Sequence, residues 1–198
     1  MPWYFYLTLA LTVCAAIVAV FLIRDLVLQS QGRYVRTKVT AKLKSFSRLR
    51  GYKVLTDVTI PYKDGEKTIS HVLVGIFGIL VVDAHEFRGE LYGTADDKKW
   101  TYIPKKGQRQ QPESLTLDLQ AKVDAIRTLL AANKIYRLTI DSVNVVDSSE
   151  KALALFVPQS LPVIRLNRLS AMLGKSKYEQ DAGVDIEKVA SILTAKQG

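Results

Sequence analysis

The sequence predicts an α/β domain, a central mixed sheet flanked by helices, behind one N-terminal transmembrane helix. Three observations predict it. The run from Trp3 to Ile23 carries no charged residue. Residues 52–104 read as short strands, rich in β-branched and aromatic residues and broken by glycine and proline. Three other stretches, 32–49, 112–133 and 186–193, carry apolar residues at helical spacing. The order of helix, mostly antiparallel strands, helix, strands and helix is that of helices covering a sheet.

The apolar run comes first. As a helix at about 1.5 Å per residue it spans roughly 31 Å, close to a bilayer's hydrocarbon thickness. Thr8 and Thr12 are its clearly polar side chains, and threonine can return its hydroxyl to a helix carbonyl. Trp3, Tyr4 and Tyr6 cluster at one end, where amphipathic rings favour the headgroup level. A cleaved signal peptide would open on a basic stretch, and none precedes this run. Arg24, Arg33, Arg36, Lys38, Lys42, Lys44, Arg48 and Arg50 follow it. The positive-inside rule then places the C-terminal domain in the cytoplasm and the N-terminus outside the inner (cytoplasmic) membrane. The single cysteine, Cys14, lies in the span, so no intrachain disulfide is expected.

Three regions follow: an anchor over 1–24, a basic juxtamembrane amphipathic helix over 25–50, and an α/β domain over 51–198. The last is long enough for one core and too short for two large ones. The formal net charge is +9. No acidic residue occurs between Leu26 and Thr56. That bias suits membrane topology or contact with anionic lipid, and it also suits a nucleic-acid footprint.

In the domain, Val35, Val39, Leu43 and Phe46 mark one face of a helix over 32–49, stopped by Gly51. A strand over 52–62 ends near Pro61. Lys63-Asp64-Gly65-Glu66 reads as a hairpin turn, since Asp-Gly supplies positive φ readily. Strands are expected over 67–75 and 79–86, joined by a tight connection between Gly75 and Gly78, then over 88–94 and 99–104. After a polar loop, Pro112 opens a helix with a buried stripe of Leu115, Leu119, Val123, Ile126 and Leu130, closed by Asn133. Strands over 136–146 and 152–157, a short helix over 169–173 and a last helix after Asp185 complete the chain.

The stretch 68–93 carries the candidate chemistry. Alternation puts Ile79, Val81, Asp83 and His85 on one face of their strand. The preceding strand should bring Ser70 and His71 beside them. Carboxylates from two such strands hold a divalent ion in many nucleases. Asp83 has a plainer reading, a strand-end carboxylate satisfied by backbone or by Arg88. His71 and His85 read either as a sparse transition-metal pair or as hydrogen-bonded sheet histidines. Trp100 is a packing residue or a base-stacking platform. Lys98, Lys99, Lys105, Lys106 and Arg109 contact phosphates or form a solvated basic loop.

These residues resemble the core of the NERD, or nuclease-related, domain family. Its central text begins Ile-Asp-His and continues through Gly-Ile, Glu-x-Lys, two glycines and a tryptophan. Here stand Ile69-Ser70-His71, Gly78-Ile79, Asp83-Ala84-His85, Gly89, Gly93 and Trp100. The resemblance covers roughly residues 32–193. It implies a restriction-endonuclease-like, PD-(D/E)xK fold acting on DNA with Mg²⁺ or Mn²⁺. The departures fall on catalytic positions. Ser70 stands where the family has a metal-binding aspartate, Asp83 replaces a glutamate, and His85 replaces a lysine. Arg36 occupies the place of a helical glutamate, and the glutamine of the Pro-led helix has only Gln120 nearby, out of register. Glu86 and Glu90 remain as candidate substitutes.

Two functions compete. One is a non-catalytic subunit of a membrane assembly, binding DNA through Arg36 and the basic loop or binding a protein partner, with no cofactor. The other is a divalent-metal nuclease that uses Asp83 as ligand and His85 as base or phosphate contact. A lipid-facing scaffold is a third reading. No small-molecule substrate is evident.

Overall fold

The computed structural model describes residues 33–63, 65–149 and 152–195. The anchor expected over 1–24 lies outside them, as do residues 25–32 of the expected basic helix and Asp64 of the expected turn. Among the described residues no helix is long and apolar enough to cross a membrane.

Helix α1 (Tyr34–Arg48) buries Val35, Val39, Leu43 and Ser47, one residue per turn along a single stripe. Gly51, at φ 67°, takes the chain out of the helix and into the sheet. Strands β1 (Lys53–Tyr62), β2 (Gly65–Gly75) and β3 (Gly78–Glu86) then form an antiparallel meander. The β1–β2 turn is tighter than expected. Tyr62 pairs with Gly65, so Gly65 and Glu66 belong to the strand and Lys63 takes the positive φ of a two-residue loop. Asp57 stands opposite Ser70 in an unbroken register, since Thr56 pairs with His71 and Val58 with Ile69. Its φ of 58° is a local left-handed kink in the strand.

Where one mixed sheet was expected, there are two. β4 (Gly89–Tyr92) and β5 (Thr101–Pro104) leave the meander and pair with each other. Gly89 lets the chain turn away: its φ is 142°, and a Cβ there would collide with the carbonyl of Ile103. β7 (Leu153–Phe156) joins β4 in parallel, giving the order β5-β4-β7. β6 (Ile140–Asp147) and β8 (Val163–Arg165) extend the larger sheet in parallel, giving β1-β2-β3-β6-β8. β6 starts four residues later than the apolar pattern suggested, and β8 was not anticipated.

Helix α2 (Leu115–Ala132) also starts later than Pro112, because Pro112 accepts a bond from Trp100 N at 2.9 Å and stays extended. The chain ends in α3 (Leu166–Leu173), a 3₁₀ turn over Ser176–Tyr178, and α4 (Ile186–Thr194). α3 begins three residues before the start expected for it. Asp185 caps α4 by accepting from Lys188 N at 3.0 Å.

The main core packs Val72, Val74, Ile79 and Val81 of the sheet against Leu119, Val123, Ile126 and Leu130 of α2 and Val189 and Leu193 of α4. Each such side chain contributes roughly 1.5–3 kcal/mol when fully buried. A second core lies under the small sheet and holds Leu91, Trp100, Leu115, Val146 and Leu153. Leu115 and Val146 belong to α2 and β6, so the same two elements bound both cores.

Candidate functional site

Strand alternation divides the polar residues of β2 and β3 between two faces. His71 is opposite Val82, so these two point the same way. Asp83 is one residue on and points the other way. Ser70, one residue before His71, shares the Asp83 face. That face is covered by α2, whose stripe is interrupted at one position. Lys122 sits between Leu119 and Ile126, and it is buried at 7 % exposure.

Asp83 is 3 % exposed and accepts four hydrogen bonds. Its Oδ1 takes the Ser70 hydroxyl and, at 3.3 Å, the Ser70 backbone N–H. Its Oδ2 takes the Lys122 ammonium and, at 3.2 Å, His85 Nε2. An ionised carboxylate has about four lone-pair sites, so every site here has a donor. Lys122 also reaches Asp118 at 2.6 Å, and Asp118 receives Lys67 at 2.8 Å. The ammonium is therefore shared by two carboxylates, and the chain Asp83, Lys122, Asp118, Lys67 alternates in sign.

The electrostatics follow from that pairing. Burial alone would push the Asp83 carboxyl up. The hydrogen bond from His85 and the charge of Lys122 outweigh it and hold the group well below the usual carboxylate range. Burial would likewise lower Lys122, but Asp83 and Asp118 raise it overall. Asp118 is held low against its own burial by Lys122 and Lys67.

His85 and Asn144 complete the cluster. Asn144, fully buried on β6, donates its Nδ2 to the Leu115 carbonyl at 2.9 Å. Its Oδ1 must therefore face His85 Nε2, 3.1 Å away. Nε2 lies between Asn144 Oδ1 and the Asp83 carboxylate, two acceptors, so it carries the proton. The nitrogen nearest Asp83 thus has no lone pair to act as a base. His85 also stacks on Phe87, with ring centroids 6.2 Å apart.

His71 is on the other face, under α1. Thr40 gives its hydroxyl proton to the Arg36 carbonyl at 2.9 Å, so it accepts from His71 Nε2 at 2.8 Å. Burial, helped by the charge of Arg36, pushes the His71 ring down to about 4. His71 and His85 do not meet, so no histidine pair exists to bind a transition metal. Arg36 pairs with Asp57 of β1. Glu86 pairs with Arg88 at 3.3 Å, and Glu90 receives the Tyr92 hydroxyl at 2.6 Å. Neither of these glutamates joins Asp83. Gln120 bonds Asp124 on the exposed side of α2.

Trp100 is fully buried in the second core, and a Cβ on Gly93 would collide with its ring. It packs rather than stacking on a base. Four of the five loop cations divide between two grooves. Lys98 and Lys99 line a groove with Lys67, Glu113 and Asp118 at the start of α2. Lys105 and Lys106 line another with Arg88 and Tyr102. Arg109 donates to Thr101 Oγ1 at 3.1 Å.

The family model for the nuclease-related domain, NERD, matches residues 31–146. The chain belongs to the nuclease-related domain family. No curated protein and no solved structure matches it. The match takes in α1, the meander, β4, β5, α2 and most of β6, which are the elements that build the site. Gly89, Gly93 and Trp100 are scaffold positions in this member of the family, set by close backbone approach and ring packing.

A divalent ion does not fit this nuclease-related site as it stands. Such ions take several oxygen ligands and need at least one carboxylate with free lone pairs. Among the described residues there is no group of three or more His, Cys, Asp or Glu side chains that could hold one. The ammonium of Lys122 sits on the carboxylate oxygen that an ion would use.

Four residues of the cluster escaped the sequence reading: Lys122, Asp118, Lys67 and Asn144. The signal for Lys122 was present. Leu115, Leu119, Lys122 and Ile126 are spaced by four, three and four, the rhythm of a buried face, and a cation on such a face requires a buried anion.

Proposed function

We propose that this member of the nuclease-related domain family is a non-catalytic binding subunit of a membrane-associated assembly, with a PD-(D/E)xK-type core whose metal site has become an internal salt-bridge cluster. One observation carries this reading: the buried ammonium of Lys122 lies between Asp83 and Asp118, where a hydrolytic site would need its cation. Ser70 donates a hydrogen bond to Asp83 where a second carboxylate would be needed. The apolar run from Trp3 to Ile23, followed by eight basic residues up to Arg50, supports an anchor in the inner membrane with the domain in the cytoplasm. Protein subunits of that membrane, or DNA, are the partners this reading expects, and it requires no cofactor.

The test is direct. Full-length protein in detergent is incubated with supercoiled plasmid and Mg²⁺ or Mn²⁺. The expected result is intact plasmid. Cleavage that disappears in Asp83→Ala would falsify the proposal.

One observation favours the rival nuclease reading. Lys122 brings a lysine to Asp83 from a helix, in a chain whose strand has lost its own at His85. For that reading to hold, cleavage must also disappear in Lys122→Met.

A further inference from the structure

The small sheet, β5-β4-β7, has two unlike faces. Leu91 and Leu153 point into the second core with Trp100. Tyr92 and Phe156, of opposite parity on the same strands, point away from it. We infer that this outer face binds single-stranded nucleic acid, with bases stacked on Phe156 and phosphates held by Arg109 and the hairpin tip beside it. The inference rests on the DNA-binding branch of the proposed function and gives that branch a surface separate from the Asp83 cluster.

The aromatic row is the first argument. Tyr92 pairs with Phe156 on one side and with Thr101 on the other, so the three side chains stand abreast across the sheet. The Tyr92 and Phe156 rings stack with centroids 4.6 Å apart and planes within 8°. Tyr92 is fixed by its hydroxyl, which donates to Glu90 at 2.6 Å. Phe156 is 53 % exposed. β7 is the last strand of its sheet, so no strand stands beside the Phe156 ring on the side away from Tyr92. Ile103, also exposed, adds apolar surface in the next row, opposite Glu90. A held ring with an open side is a stacking platform for any unpaired base. Bases inside a duplex are stacked on each other and cannot use it.

Charge is the second argument. Arg109 donates to Thr101 Oγ1 at 3.1 Å, which sets a guanidinium at the end of the row opposite Phe156. It belongs to a stretch, residues 98–112, with five cations and no acidic residue. That stretch turns back on itself, pairing Tyr102 with Gln110, and its tip carries Lys105, Lys106 and Arg109, all exposed. Glu90 is a carboxylate on the outer face, and the Tyr92 hydroxyl engages it. Stacked rings beside a cationic hairpin suit a ligand that is aromatic along one side and anionic along the other. A single strand of nucleic acid has that chemistry, and an apolar protein surface does not.

The experiment uses the full-length chain in detergent, with EDTA present so that binding is read apart from any cleavage. Fluorescence anisotropy follows labelled oligo(dT) and oligo(rU) of about 12 nucleotides, and a DNA duplex of equal length. Tighter binding of either single strand than of the duplex supports the surface, and the tighter of the two names the strand. Phe156→Ala should weaken that binding roughly tenfold, and Arg109→Gln should reduce the salt slope by about one. Phe156→Trp should keep the affinity and show fluorescence quenching on binding beyond that of the wild type. Tyr136→Ala removes an exposed ring outside the small sheet and should change affinity by less than about twofold. The inference is overturned if the duplex binds as tightly as the single strands, if Phe156→Ala leaves affinity unchanged, or if Phe156→Trp shows no added quenching. Plasmid cleavage with Mg²⁺ would sink the non-catalytic reading and leave this one standing.

Discussion

The two faces of the β2–β3 hairpin bury their polar groups by opposite means. On the α2 face, Asp83 stays ionised because Lys122, His85 and Ser70 supply both charge and hydrogen bonds. On the α1 face, His71 keeps one hydrogen bond to Thr40 and stays neutral, with its pKa driven down to about 4. The strands are the same and the depth is similar. What differs is the facing helix: α2 brings a lysine, whereas α1 brings a threonine hydroxyl and has its nearest cation, Arg36, paired with Asp57. A buried charge survives where the opposite element pays for it, and a buried histidine discharges where it does not.

The largest effect should come from breaking the charged face. Lys122→Met keeps the helix and most of the volume but strands Asp83. A loss of about 3–5 kcal/mol is expected in urea unfolding. The double variant Lys122→Met/Asp83→Leu should recover most of it. A double variant as unstable as the single one would show that the cluster does not behave as a pair.

The neutral face sets the next effect, read in pH. His71 binds its proton near 6.5 when unfolded and near 4 when folded. Between those values the unfolded state holds a proton that the native state refuses. Stability should therefore be complete above 6.5 and fall by about 3 kcal/mol as the pH drops to 4. His71→Gln should flatten that window. Asp83 and Asp118 have lowered folded values, so their contribution is present above about 4 and is lost only below it. The two faces should thus unfold the protein in separate acid windows, measurable by chemical denaturation at a series of pH values.

A smaller effect tests the Ser70 hydroxyl on Asp83. Ser70→Ala removes one of four donors to Asp83 and should cost about 1–3 kcal/mol in the same unfolding experiment. Ser70→Asp/Lys122→Gln restores a second carboxylate and withdraws the ammonium. Its melting temperature should rise with Mg²⁺, while that of the wild type should not respond.

Much of this fold was legible from the chain. The stripes of α1 and α2, the meander, and the adjacency of Ser70, Asp83 and His85 follow from periods of 3.6 and 2, which are local properties of the backbone. The expectation that His71 would join them failed because residues adjacent in a strand face opposite ways. The single-sheet expectation failed because strand patterns say which residues alternate and not which strand pairs with which. β4, β5 and β7 are only four residues each and carry little patterning to assign them.

The candidate site was half legible. Sequence by itself determined that Ser70 stands where the resemblance implies a carboxylate, that Asp83 follows on the next strand, and that cations crowd α1 and the loops. It also placed a lysine on the buried stripe of α2, in a rhythm that could be read. Only the tertiary structure decided what that lysine neutralises, because Lys122 and Asp83 are 39 residues apart and meet through packing of the helix on the sheet. It likewise placed Lys98 and Lys99 in a groove shared with Glu113 and Asp118, Lys105 and Lys106 in another beside Arg88, and Arg109 on Thr101. Composition counts charges along a chain, whereas Coulomb energy depends on distance and burial, and both are set by the fold.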